Sequence, residues 1–110
     1  MLRIHNVAIQ VVGEISVLMR EIERFDPDLA RQGRRAMVSV PLNVAEGSDQ
    51  VGKRRANHYR FALGSARETR SVLECAVAAG YIAPPSLALI EKMKHVIGTL
   101  TKCIKSAETE

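Results

Sequence analysis

Apolar side chains recur every three or four residues along most of this chain. Between residues 4 and 25 they fall at Ile4, Val7, Ala8, Val11, Ile15, Leu18, Ile22 and Phe25, with Val12 and Met19 widening the row. That spacing is the one-sided stripe of an amphipathic helix. Gly13 weakens it by about 1 kcal/mol relative to alanine and leaves room for a close neighbour. Arg20, Glu21, Glu23 and Arg24 lie off the stripe and face water.

Asp26-Pro27-Asp28 restarts the chain. Asp26 suits the cap, Pro27 the first helical position and Asp28 the positive end of the dipole. The second helix is expected from about Pro27 to Glu46. Its stripe reads Leu29, Ala36, Val40, Asn43 or Val44, then Gly47. Met37, Val38, Leu42 and Ala45 lie off it, so this helix is apolar on more than one face. Such a helix is buried on more than one side. In a chain this short the second side is expected to meet another subunit, through Val38, Leu42 and Ala45.

Gly47-Ser48-Asp49-Gln50-Val51-Gly52 reads as a turn with a helix-ending glycine. A third helix follows from about Lys53 to Ala79, with a stripe of Tyr59, Ala62 or Leu63, Ala66, Leu73, Ala76 or Val77, and Gly80. Gly64, Ser65 and Ala66 are small enough to admit a neighbouring backbone. Gly80 and the pair Pro84-Pro85 end that helix, and Ser86 opens the last one. The last stripe is Leu87, Ile90, Met93, Ile97, Leu100, Ile104 and Ala107, before an acidic tail expected to fray.

Four helices of about 20 to 27 residues would each be about 30 to 40 Å long. With no strand pattern, the fold class expected is all-α: an antiparallel up-down-up-down four-helix bundle. Length favours a single domain over residues 1–110. Aromatic residues make up only 4% of the chain, which argues against a base-stacking platform for single-stranded nucleic acid. The start lacks a basic segment followed by an apolar run, so a cytoplasmic protein without a leader is expected. Cys75 and Cys103 read as reduced, near-core residues.

One stretch resists generic helix physics. Pro41 stands where a helix needs a backbone N–H, which kinks the helix or costs about 3 kcal/mol. Around it Ser39, Asn43 and Glu46 share one helix face. Two readings follow. The polar row bonds to the third helix, where Ser65, Arg67, Glu68 and Arg70 are available, or it contacts a ligand or RNA.

Charge adds a second feature. Residues 31 to 70 hold nine basic and three acidic side chains, a net +6, while the remainder is −2. Lys53, Arg54 and Arg55 with Arg60, Arg67 and Arg70 could pair with phosphates, and positions 53, 60 and 67 form a row at heptad spacing. A solvated, internally paired face is the plainer reading. No catalytic set emerges. Arg54 and His58 stand too close for the arginine–histidine spacing of helical ribonucleases, and His5, His58 and His95 have no partners at metal-ligand spacing. No metal and no cofactor is expected. An RNA-processing nuclease or other hydrolase around Glu46 stays as the alternative.

Three segments carry a resemblance: Ser39-Val40-Pro41-Leu42-Asn43-Val44-Ala45-Glu46-Gly47, Phe61-Ala62-Leu63-Gly64-Ser65-Ala66-Arg67-Glu68-Thr69, and Ala79-Gly80-Tyr81-Ile82. Over about residues 5 to 105 the chain resembles the bacterial 23S rRNA intervening-sequence protein family. It is more distantly similar to the accessory variability proteins of diversity-generating retroelements. The resemblance implies a cytosolic four-helix bundle that assembles into a homopentameric ring, with no established enzymatic activity. It marks Ser39, Pro41, Asn43, Glu46, Gly47, Ser65 and Glu68 as a structural and assembly signature. The retroelement relatives are basic barrels thought to bind nucleic acid and a reverse transcriptase. This chain departs from them in lacking a basic tail and in carrying Asp49 and Gln50 after the glycine.

Overall fold

The computed structural model describes residues 2–110, with side chains from residue 3 onward. Met1, part of the start read above as leaderless, lies outside the described residues. Four helices follow one another: α1 (Leu2–Glu23), α2 (Pro27–Ser48), α3 (Gly52–Ala78) and α4 (Leu87–Glu108). Each packs on its neighbours in a closed cycle, α1 on α2, α2 on α3, α3 on α4 and α4 on α1. This is the all-α up-down bundle that the spacing predicts, 45 × 25 × 19 Å in extent. No helix among the described residues is long and apolar enough to cross a membrane.

The helix starts follow local chemistry. Asp26 accepts the Leu29 N–H at 3.0 Å, with Pro27 opening α2. Ser86 accepts the Leu89 N–H at 3.2 Å and opens α4. Gly80 ends α3 in the left-handed conformation, φ 80°, and the following Tyr81 N–H reaches back to the Ala76 carbonyl. α2 runs unbroken through Pro41, which is buried, and continues past Glu46 to Ser48. Gly47 is therefore not the turn glycine. Its place in the fold has another cause, given below.

The core has two halves. One gathers Ile4, Ala8, Val40, Val44, Tyr59, Ala62, Leu63, Ala66, Val96, Leu100 and Ile104. The other gathers Val11, Ile15, Met19, Ile22, Met37, Val72, Leu73, Leu89 and Met93. Where they meet lies a cavity of about 20 Å³, lined by residues of both halves and by Thr69. Thr69, a buried polar side chain, donates its hydroxyl to the Ser65 carbonyl at 2.8 Å.

Several stripe positions differ from expectation. α4 is rotated so that Leu89, Met93, Val96, Leu100, Ile104 and Ala107 face inward, while Ile90 and Ile97 are half-buried and Leu87 is 80% exposed. Leu87 stands at the first turn, beyond the reach of the core. Met19 is central to α1 rather than marginal. Phe25 falls in the turn after α1 and stacks on Tyr81, ring centroids 5.4 Å apart, instead of extending the stripe. Met37 joins the core, and Gly80 is exposed in its turn. The space beside Gly13 and Gly64 is open, so neither admits a neighbouring helix within the chain. Cys103 is half-buried, but Cys75 is exposed on the outer face of α3. Residues 108–110 do not fray: α4 reaches Glu108, and the two glutamates are anchored.

Candidate functional site

The seam between α2 and α3 is built on small residues. α2 buries Ala30, Gly33, Ala36 and Gly47, and α3, with which it packs most extensively, buries Ala56, Ala62 and Ala66. Gly47 meets Tyr59 of α3, and Gly33 lies against Met19 of α1 and Val72 of α3. Short side chains bring the two backbones close enough for short polar groups to bridge them. The Ser65 hydroxyl donates to Ser39 Oγ at 2.9 Å, and Asn43 Nδ2 donates to the same oxygen and to the Ser39 carbonyl, both at 2.9 Å. Asn43 Oδ1 then faces His58 Nδ1 at 3.5 Å. The result is a half-buried chain, Ser65–Ser39–Asn43–His58, crossing from one helix to the other just beside Pro41.

Of the residues predicted for this seam, Ser39, Asn43 and Ser65 come together. Glu68 bonds instead to Gln32 of α2 at 3.1 Å, one turn away. Glu46 is exposed, and its side chain makes no hydrogen bond or ion pair among the described residues. The i+7 step from Ser39 has carried it past the edge of the contact. Arg67 and Arg70 are exposed and take no part. His58 was missed by the sequence reading, although it lies seven residues before Ser65 and so on the same face of α3.

Gly47 closes the seam at its lower end. A Cβ there would stand 2.5 Å from Tyr59 Cε1 and 2.7 Å from Cδ1. A glycine here leaves room for the Tyr59 ring to pack directly against the α2 backbone. Burial pushes the Tyr59 phenol above its ordinary value, while the Ser48 hydroxyl and the Arg55 guanidinium pull it partly back.

Beside the seam, on the outside, is an apolar strip. Val38 is 41% exposed, Leu42 63% and Phe61 63%, and Ala45 is exposed too. Phe61 sits edge-on to His58, centroids 6.4 Å apart. Val38, Leu42 and Ala45 are thus surface residues of the single chain. Phe61 adds an aromatic that its position off the α3 stripe could have flagged.

The basic residues divide into two groups. Arg31 pairs with Asp28 at 3.0 Å and Arg34 with Glu23. Arg55 pairs with Glu110 at 2.9 Å and also donates to the Gly47 carbonyl at 3.1 Å and the Ser48 carbonyl at 3.4 Å. It thereby caps the carbonyl end of α2, where a cation is favoured. Arg60 pairs with Glu108 and bonds to Asn57. Lys53, Arg54 and Arg67 are exposed and carry no ion pair among the described residues. The acids of the tail were not expected here. The acid surplus outside residues 31–70 was the available signal. No group of three metal-ligating side chains occurs among the described residues.

Comparison with known proteins places the chain in a family and agrees with its fold. The 23S rRNA-intervening sequence protein family matches residues 1–102, and the chain belongs to that family. Among solved structures it is similar to a protein of unknown function from the S23 ribosomal protein family of Bacteroides thetaiotaomicron. The TM-score is 0.66 at 18% identity, over 96% of this chain and 95% of that one, a likeness of fold. No curated protein matches the chain.

Proposed function

We propose that this chain is a non-enzymatic, self-assembling helical bundle whose copies associate through the outer strip of α2 and α3, as a homopentamer. The observation that carries the reading is the strip itself. Val38, Leu42, Ala45 and Phe61 are apolar, contiguous with the seam and exposed in the single chain. The seam's polar groups are already satisfied by one another, so they cost little when a neighbour covers them. Light scattering coupled to size exclusion tests this. The wild type is expected well above 12.1 kDa, and Leu42→Glu is expected at that mass. A wild type that elutes as a clean monomer at micromolar concentration ends the proposal.

A second element of the reading is a phosphate-bearing partner, RNA, on the basic end of α3. Lys53 and Arg54 support it, being exposed and free of acidic partners among the described residues. Lys53→Ala with Arg54→Ala should weaken binding of an RNA hairpin and lower its salt slope by about 1 per cation removed. Arg55 is left intact in that variant, because its removal would also uncap α2. Absence of binding at low salt would end this element. The competing hydrolase reading predicts RNA cleavage that disappears on Glu46→Gln in a folded protein.

A further inference from the structure

The acidic end of α4 lies on the basic start of α3. Glu110 uses both carboxylate oxygens there: Oε1 accepts the Gly52 N–H at 2.9 Å and Oε2 pairs with Arg55 Nη1 at 2.9 Å. Two residues earlier, Glu108 pairs with Arg60 one helical turn and a half along α3. Val51, at the cap position of α3, has no side-chain acceptor to offer. The carboxylate of Glu110 supplies one from 58 residues away. A carboxylate that takes a backbone N–H with one oxygen and a guanidinium with the other occupies the positions two oxygens of a phosphate would occupy.

We propose that residues 108–110 are an intramolecular cover that occupies part of the phosphate-binding surface of α3 and is displaced by a nucleic-acid backbone. The inference rests on the RNA reading given above and adds its regulation. The four cations at that end split into an open pair, Lys53 and Arg54, and a covered pair, Arg55 and Arg60. Of these, Arg55 keeps its Nε and Nη2 bonds to the Gly47 and Ser48 carbonyls and offers only Nη1 when Glu110 leaves. The open pair gives the first contact, and the cover yields the second pair only to a polyanion that out-competes two glutamates. Displacement is within reach, because both ion pairs are partly exposed: side chains of Arg55 and Glu110 are 29% and 33% accessible, and those of Arg60 and Glu108 are both 46%. Ion pairs of that exposure are weak and salt-sensitive. The cover is also local. Thr109 bonds to the Ser106 and Ala107 carbonyls of its own turn, so among the described residues this segment holds α3 through its two glutamates, and releasing them leaves the bundle core untouched.

The test compares three proteins binding a fluorescent RNA hairpin across a salt series. They are the wild type, Glu108→Gln with Glu110→Gln, and a control with the same charge change at exposed acids elsewhere, Glu21→Gln with Glu74→Gln. Thermal melts by circular dichroism confirm that all three fold. The tail variant is expected to bind about 2- to 30-fold tighter than the control, with a salt slope steeper by about 1 to 2. Equal tightening in the tail and control variants would overturn the cover and leave only net charge. So would wild-type binding that the tail variant does not improve. If no protein binds at low salt, the RNA reading fails first and the cover with it.

Discussion

Gly47 and Tyr59 are in backbone-to-ring contact across the α2–α3 seam, with no room between them for a single carbon: the nearest ring atom lies 2.5 Å from where a Cβ would stand. Gly47→Ala should therefore cost stability, by about 1–3 kcal/mol, because a rigid, buried ring and two helix backbones must give way together. Gly33 makes a contrast. A Cβ there meets the flexible end of Met19, at 2.5 Å, and Val72 Cγ1 at 3.0 Å. Gly33→Ala should cost less, since the thioether can shift and alanine gains about 1 kcal/mol of helix propensity. Urea titrations of the two variants check the order.

Pro41 leaves the Met37 carbonyl without its helical donor. Pro41→Ala restores that bond and should raise stability by about 1 kcal/mol, the gain from an unbroken ladder exceeding the lost packing of a buried ring. A lower melting temperature would show that the ring's packing dominates instead.

The hydroxyl–amide chain across the seam should behave as a unit. Ser65→Ala and Asn43→Ala both leave Ser39 Oγ with one partner fewer. Each is expected to cost about 1 kcal/mol, and the double variant less than the sum by about 0.5 kcal/mol or more. Strict additivity in a double-mutant cycle would break the network into separate bonds.

Alkaline pH should weaken the fold through Tyr59. A phenol held above its ordinary value near 10 is protonated in the folded chain at a pH where the unfolded chain ionises. The Tyr59 contribution is full below about pH 10 and is lost as pH rises through the folded value. Tyr59→Phe should flatten that limb in melts taken between about pH 9 and 11. Cys103, whose thiol burial also pushes up, supplies a residual slope.

Features set by neighbours in sequence were legible in it. Asp26 and Ser86 act three residues ahead, so their caps could be read directly. The bundle itself followed from the stripes. Less legible was what depends on distant parts. α4 carries apolar residues on two adjacent rows, Leu87–Ile90–Ile97 and Leu89–Val96, and the choice between them is made by α1 and α3. Gly47 was recognised as a glycine with a purpose, but the purpose lies twelve residues on, in the Tyr59 ring. Glu46 shares a helix face with Ser39 and Asn43 by spacing, yet α3 contacts only part of that face. The fold of residues 108–110 onto Arg55 and Arg60 spans about half the chain and left no local trace.

The four seams of the bundle are not equal. α2 and α3 meet along small residues and hold each other by a half-buried hydroxyl–amide chain, whereas α1 and α4 touch least of the neighbouring pairs and share the half-exposed Lys92–Glu14 ion pair at 2.9 Å. Mechanically, the molecule is a stiff plank with two hinged flaps. Hydrogen exchange should be slowest along α2 and α3, and transient opening should begin as α1 parts from α4. An assembly seated on the plank would then keep its contacts while the far side breathes.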